Sequence, residues 1–589
     1  MCILMIGCTQ QKEKIPPVPD MQQASNKMVV YQMMTRLFGN KVTLNKPYGT
    51  LEENGVGKFN DINDTALKSL KELGITHVWY TGVPEHSVLT DYTKYGIPLD
   101  DADVVKGRAG SPYAIKDYYD VNPDLAVDVR NRMKEFEQLI DRTHARNLKV
   151  LIDFVPNHVA RAYKSDVKPK GVKDLGEDDD TSMKFKASNN FYYLPGESFQ
   201  VPKEYNSLGP DNTFPTKDGK FEETPAKISG NGSLTSSPGM FDWFETVKLN
   251  YGVDIQGGNR TWFDPVPDTW IKMKDILVYW AGKRVDGFRC DMAEMVPVEF
   301  WNWAIPQVKA VNPEIIFIAE IYNPAQYRNY IQTGRFDFLY DKVQLYDTLR
   351  DLIGGRKSTL DIGAIQKSLD GINSSMLHFM ENHDEQRIAS SYFAVNPWKA
   401  VPAMVISATI DQGAVMIYFG QEVGESALGE AGYQNLESKG VTTKMDYWGV
   451  PEHQKWLNDG KFDGGLLSDD QKKLRQFYSN LLNLSQRNPA ITQGEYFDIT
   501  EENVQAKNFG DDVHTFIRLK DAEKLLIVSN FGSKAKSIKV NLPNLLMLDA
   551  EKTYRAKDLL WNEMEIVIEK GMATVELPPY GSYIFKIQE

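Results

Sequence analysis

Eight short, nearly unbroken apolar runs recur between residues 29 and 419, at 29–34, 77–82, 149–155, 285–291, 315–321, 336–340, 376–381 and 414–419. A strand covered on both faces loses the in–out alternation and reads as such a run. Parallel strands are covered on both faces because their crossovers pack there. The spacers contain helix patterns at 64–74, 128–147 and 268–283, the first opening on an acidic residue and closing on Gly74. Eight strand–helix units predict a closed (β/α)8 barrel, a TIM barrel of α/β class. An open doubly wound sheet, the alternative, would carry a glycine-rich phosphate loop early, and none is present.

Two regions break the rhythm. Residues 160–250, between the third and fourth runs, are rich in Gly, Pro, Asn, Asp and Lys. That is too long for an ordinary βα loop, so an inserted subdomain over the active face is expected. From residue 491 the pattern changes to short β runs at 513–519, 524–531, 537–541, 564–568, 573–576 and 582–586, which predict a C-terminal antiparallel β-sandwich over 491–589. The barrel then comprises 27–159 and 251–490.

Residues 1–26 are expected to be a signal-like or lipoprotein-like leader and tether. Met1–Cys8 reads MCILMIGC, followed by a polar, proline-containing spacer. Apolar run, small residue, cysteine and polar tether in that order predict a lipoprotein signal with a lipid anchor at Cys8. The expected location is then the bacterial cell envelope, periplasmic or attached to the outer membrane. The cytoplasm is the alternative if the segment is no signal. Three cysteines, Cys2, Cys8 and Cys290, make neither a disulfide framework nor a zinc pattern. Cys290 sits in a buried run and reads as a small apolar filler. The net charge of −13 excludes nucleic acid as a partner, since a phosphate binder needs a basic face. A neutral substrate needs no such steering. Nothing in the sequence signals an oligomeric state.

In such a barrel the chemistry sits where strands end at their C-terminal side. The third run ends Asp153-Phe-Val-Pro-Asn157-His158. The fourth ends Gly287-Phe-Arg289-Cys-Asp291 and the fifth Ala319-Glu320. The seventh ends Glu381-Asn-His383-Asp384. Carboxylates, imidazoles and a guanidinium thus converge on one rim, a costly place for charge unless it is paired or used. Singly, each has a plain structural reading: Asp153 pairing with Arg289, either histidine as a hydrogen-bond partner, Glu320 opening a surface loop. Together, at successive strand ends, they point to a site.

These four segments resemble the signature regions of the α-amylase superfamily (glycoside hydrolase family 13), and the likeness runs in order from about Met28 to the C-terminus. It implies a retaining hydrolase of α-glucosidic, mainly α-1,4, bonds in starch, maltooligosaccharides or related α-glucans. By that resemblance Asp291 is the nucleophile, Glu320 the acid/base and Asp384 the stabiliser of the distorted sugar. Arg289 keeps Asp291 ionised, His158 and His383 bind the same sugar, and Tyr113 stacks beneath it. Asp153 and Asn157 support the site. A retaining mechanism needs one ionised and one protonated carboxyl about 5–5.5 Å apart. Asp291 beside Arg289 is therefore expected below its usual pKa, and Glu320 raised toward ~6.

The chain also departs from the family pattern. Where many amylases place a calcium-binding aspartate, this sequence reads Thr246-Val-Lys248-Leu-Asn250. Lys248 is the variant of neopullulanases, cyclomaltodextrinases and maltogenic amylases. An ammonium fills a cation's space but cannot ligate one. Lys248 is accordingly expected to stand in for the ion, with no metal ligand assigned and no cofactor required. The plain reading is a solvated lysine in a misaligned loop. Glu294-Met295 replaces the Lys-His common on the acceptor side, and Ser111 a common His two residues before Tyr113. A transglycosylase with the same residues is the near rival, and a non-catalytic glycan-binding barrel the rival from another class. The latter would have lost one of the three acids, and all are present. Trp79, Tyr80, Trp243 and Phe244 fall near the rim, as sugar platforms or as core. The acidic run Glu177–Asp180 reads as a solvated turn rather than a calcium loop.

Overall fold

The computed structural model describes residues 27–588, apart from 204, 211, 212, 434, 436, 437, 507 and 550. The segment carrying Cys2 and Cys8 lies outside the described residues. All eight apolar runs form strands: β1 (Val29–Met34), β2 (His77–Thr81), β3 (Lys149–Phe154), β4 (Gly287–Cys290), β5 (Ile316–Ala319), β6 (Phe338–Tyr340), β7 (Met376–Phe379) and β8 (Ala414–Tyr418). They close into a parallel barrel in sequential order, β1 pairing with both β2 and β8. β1, VVYQMM, is buried at every position, as a strand covered on both faces must be.

The helices start later or cap differently from the sequence pattern. α1 spans Asp64–Leu73, and its N-cap is Asn63, whose side chain accepts from the amides of Thr65 and Ala66. Asp64 sits one residue inside and favours the helix dipole instead. Gly74 ends the helix at φ 103°. A Cβ there would lie 2.8 Å from the backbone nitrogen of Asn483, so conformation and close approach both demand glycine. α2 runs Arg132–Ala145, because Asp128 caps a separate 3₁₀ turn at Val129–Asn131. α3 is Asp268–Gly282.

Two small antiparallel pairs build the rim above the barrel. Pro84–His86 pairs with Ile115–Val121, and His158–Ala160 pairs with Thr246–Lys248. Within the long insertion Tyr193–Leu194 pairs with Ala226–Lys227. Among the described residues, the insertion does not bury an apolar centre of its own. Tyr192, Phe199, Tyr205, Ile228 and Phe244 share one cluster with Val104 from the loop after β2 and with Tyr433 and Met445 from the loops after β8.

The C-terminal region is one continuous eight-stranded antiparallel sheet, not two hydrogen-bonded sheets. Its strands are β9 (Glu495–Asp498), β10 (Val513–Lys520), β11 (Glu523–Asn530), β12 (Lys536–Asn541), β13 (Thr553–Asp558), β14 (Glu565–Glu569), β15 (Met572–Leu577) and β16 (Ser582–Gln588), in the order β9-β10-β11-β16-β13-β14-β15-β12. Alternate residues of both halves, Ile517 and Val528 with Ile538, Ile568 and Val575, enter one shared core, so a single sheet achieves what a sandwich would. Arg518 of β10 docks it to the barrel by donating to the carbonyls of Ile410, Ala490, Ile491 and Gly494 at 2.8–3.0 Å. Among the described residues, no helix is long and apolar enough to cross a membrane.

Candidate active site

The site grows out of the ladder between β3, β4 and β5. Arg289 lies in register with Asp153 on one side and Ile318 on the other. Gly287 permits that closeness: a Cβ there would lie 2.6 Å from the Ile316 carbonyl. The ladder continues one residue beyond the strands. The Asp291 amide donates to the Phe154 carbonyl at 2.9 Å, and the Glu320 amide to the Cys290 carbonyl at 3.2 Å. Backbone bonds therefore fix both carboxylates before any side chain acts. Met292 then turns into the left-handed region at φ 43°, a strained conformation for a side-chain-bearing residue. The turn aims its amide at Glu320 Oε2, 2.7 Å away.

Arg289 is the hub, and it is fully buried. Its Nη1 donates to Asp291 Oδ1 at 2.7 Å, its Nη2 lies 2.7 Å from Glu320 Oε1, and Asp153 Oδ1 is 3.8 Å from Nη1. Nε donates to the Tyr340 hydroxyl at 3.3 Å. The rings of Trp79, Tyr113 and Tyr340 lie 5.3–5.5 Å from the guanidinium carbon. One cation thus serves several carboxylates in an aromatic cage, where attraction is weakly screened. Asp291 Oδ2 has no hydrogen-bond partner among the described residues.

Burial pushes the Asp291 carboxyl up. Arg289 pulls it down and Asp384 adds to the rise. The expectation of a lowered Asp291 is corrected: desolvation beside a second carboxylate outweighs the guanidinium. Glu320 is raised as expected, by burial first and by Asp291 and Asp384, with Arg289 opposing. Its Oε1 also accepts from the Tyr322 hydroxyl at 2.7 Å. Asp153 is pushed up to about 7 by burial. Its Oδ2 accepts from the Gly82 amide at 3.1 Å.

Asp384 behaves oppositely. Burial alone would raise it, but His383 and Lys444 hold it well below the carboxylate range. His383 Nε2 stands 3.0 Å from Asp384 Oδ2, and Lys444 Nζ donates to Oδ1. Gln32 Nε2 is 2.7 Å from His383 Nδ1. With the amide donating, the ring proton sits on Nε2, facing Asp384 and the Tyr113 hydroxyl at 2.5 Å. Desolvation lowers the His383 pKa, with Asp384 opposing.

His158 joins from the rim. It is buried, its pKa is pushed down to about 3 by burial with Lys248 and Lys106 adding, and Asn157 Nδ2 lies 3.0 Å from its Nδ1. Lys248, directly across the strand pair from His158, donates its ammonium to Asn157 Oδ1. Burial lowers that lysine to about 8. Asn157 Nδ2 also donates to the Gly230 carbonyl at 2.8 Å. The side chain a cation would use is thus engaged at both ends, and its oxygen faces an ammonium, so these residues do not fit a cation.

The four rim aromatics separate. Trp79 lies under Arg289 and edge-on to His383, Tyr80 bonds Thr143 in the helix layer at 2.7 Å, and Phe244 is core against Tyr205. Trp243 alone is partly exposed beside the site, its ring 5.3 Å from His158 and its backbone strained at φ 49°. Ser111 Oγ accepts from the Tyr113 amide at 3.3 Å. Glu294 accepts from the amides of Tyr322 and Asn323 at 3.1 and 3.0 Å, tying the loops after β4 and β5. In the acidic run, Asp179 accepts from the amides of Asn190 and Phe191, and Asp178 pairs with exposed Lys173. These are the bonds of a turn.

Sequence reasoning missed Gln32, Tyr322, Tyr340 and Lys444. Only Gln32 carried a signal, as an amide inside an otherwise apolar buried strand.

Comparison with known proteins places this geometry in context. The α-amylase catalytic-domain profile matches residues 45–216 and 265–449. α-Amylase 3 of Dictyoglomus thermophilum is 23% identical over 501 residues, covering 81% of this chain and 82% of that protein. Probable oligo-1,6-glucosidase 3 of Bacillus subtilis is 23% identical over 629 residues, covering 95% and 98%. The crystal structure of the Geobacillus thermoleovorans α-amylase, complexed with acarbose, superposes with a TM-score of 0.60 at 17% identity, covering 96% of this chain and 98% of that one.

Proposed function

This chain belongs to the α-amylase family, and from that premise we propose that it is a retaining glycoside hydrolase of α-glucans, acting mainly on α-1,4 bonds in starch and maltooligosaccharides. The observation that carries the mechanism is the Arg289 fork: one guanidinium holds Asp291 Oδ1 and Glu320 Oε1 at 2.7 Å each, and Asp291 Oδ2 has no partner among the described residues. Oδ2 attacks the anomeric carbon as the glycosidic C–O bond breaks, and Glu320 gives its proton to the departing oxygen. A water then attacks the same carbon and Glu320 takes its proton. The ester bond to Asp291 breaks, restoring the original anomer. Asp384, held ionised by His383 and Lys444, faces the positive charge that develops on the ring. Tyr113 and His158 line the sugar. Acarbose bound to a structural neighbour and maltose bound to another support an α-glucan ligand.

The test is a product profile on starch, pullulan, cyclodextrin and maltoheptaose, with Asp291→Asn as blank and early anomer composition read by NMR. Release of α-anomeric maltooligosaccharides is expected. Early β-anomer, or no cleavage of any of the four, would overturn the reading.

A bell-shaped pH profile for kcat/KM follows. Activity rises with pH as Asp291 loses its proton and falls as Glu320 loses its own. Both groups are shifted upward, so both limbs lie above the ordinary carboxylate values of about 3.9 and 4.3. The limbs belong to the pair rather than to either residue. Asp384 stays ionised throughout and shapes neither limb. A profile flat from pH 4 to 8 would contradict this.

We further infer that Lys248 takes the role of the ion many relatives bind near Asn157, so that catalysis requires no cofactor. The support is its ammonium on Asn157 Oδ1. Lys248→Asp sets two acceptors face to face and should cost at least about 2 kcal/mol in ion-free buffer. Calcium chloride should restore more of this loss than wild type gains. Unchanged ion-free stability in a thermal melt would refute the role. The envelope location and the Cys8 anchor stand as proposals on the MCILMIGC segment, readable by mass spectrometry of that cysteine.

A further inference from the structure

Three carboxylates outside the site crowd the seam between barrel and insertion. Glu85 and Asp117 are register partners in the hairpin after β2, and Asp166 stands early in the insertion. One oxygen of each lies within 4.8 Å of the other two. Glu85 is 1% exposed and Asp117 fully buried, while Asp166 reaches solvent.

The neighbouring cations are committed elsewhere. Lys116 donates to the Pro98 carbonyl at 2.7 Å and to Asp100 at 3.2 Å. Arg132 bonds Asp120 at 2.7 Å, and Lys168 pairs with Asp174. Asp117 is partly satisfied: Oδ2 accepts from the Ser165 hydroxyl at 2.7 Å and the Asp166 amide at 3.0 Å, and Oδ1 from the Tyr119 amide at 2.8 Å. Glu85 Oε2 is buried and has no donor among the described residues. A buried carboxylate is paired, bound to metal, or neutralised, and the charges acting on Glu85 are three carboxylates, Asp120, Asp117 and Asp166, opposed by Lys116, which Asp100 already holds.

We propose that Glu85, Asp117 and Asp166 bind a hard divalent cation, calcium by preference, which staples the hairpin after β2 to the start of the insertion. The donors are all oxygen. Calcium accepts an irregular set of six to eight oxygens, including waters, which the open side at Asp166 admits, whereas magnesium demands a stricter octahedron. The position is separate from Asn157, whose oxygen Lys248 occupies. The two segments already touch through the Lys164 amide and the Lys116 carbonyl at 3.1 Å. The strand Ile115–Val121 begins two residues after Tyr113, and His158–Ala160 leads into Asp166. The ion would therefore brace the two segments that present Tyr113 and His158 to the sugar.

The test titrates calcium chloride into the full-length protein after EDTA treatment and dialysis, reading the melting temperature and the heat of binding. One calorimetric site is expected, with a rise of several degrees at millimolar calcium and a weaker response to magnesium chloride. Glu85→Gln should abolish both signals. Asp166→Asn, at an exposed position that leaves folding untouched, should weaken binding at least tenfold. Wild type without heat or shift would overturn the site, as would both variants responding like wild type. Stripped wild type as stable as Glu85→Gln and blind to calcium would mean that Glu85 is merely kept protonated, and would overturn it too.

Discussion

Asp291→Asn leaves a folded protein that turns over maltooligosaccharides slower by roughly four orders of magnitude or more, the scale seen when a covalent nucleophile is removed. The amide keeps the shape and still offers Oδ1 to Arg289, so the melting temperature should move little. What disappears is the anionic Oδ2 that no group among the described residues ties down. The role is proved by chemistry rather than by loss. With Asp291→Ala and α-glucosyl fluoride, azide enters the vacated space and displaces fluoride directly, giving the β-azide. An α-azide from that variant, or kcat within tenfold of wild type for Asp291→Asn, would assign the nucleophile elsewhere.

Glu320→Ala gives the complementary result. Loss of a general acid and base costs about 10²–10⁴ on natural glucans. α-Glucosyl fluoride, whose leaving group needs no proton, should lose far less in the first step. The glycosyl-enzyme then waits for a nucleophile that needs no base. Azide should therefore accelerate turnover and yield the α-azide, the mirror of the Asp291 experiment. The variant should also lose the alkaline limb of its pH profile. Equal losses on fluoride and on maltooligosaccharide would indicate that Glu320 acts only by placing Arg289, whose Nη2 lies 2.7 Å from its Oε1.

The barrel was legible because strands covered on both faces leave a signature of their own, and each of the eight runs matched a strand to within two residues at either end. The C-terminal sheet was less so. β13, TYRAKD, turns Tyr554, Ala556 and Asp558 inward. A small residue and an acid, the latter accepting from the amides of Leu560, Trp561 and Asn562, do not read as an apolar face. β9, EYFD, is acidic at both ends. At the site, the residues at strand ends could be read because the fold dictates where strands end. Lys444 could not. It lies in the polar loop 442–446, sixty residues from Asp384, and loops carry no period to place them. The direction of Asp291 was misjudged for a related reason. Adjacency to Arg289 is visible in a string of letters, whereas exclusion of water is a property of the assembled rim.

The apolar cluster that joins the insertion to Tyr433 and Met445 limits how this enzyme can be re-engineered. Met445 follows Lys444, so a repacked insertion would reach the charge on Asp384 through a single peptide link. Swapping the insertion for a homologous one, to alter substrate choice, would strand half of a greasy joint and tug on the floor of the candidate site. The transferable cassette is the insertion together with the segment that carries Tyr433 and Met445, moved as one piece.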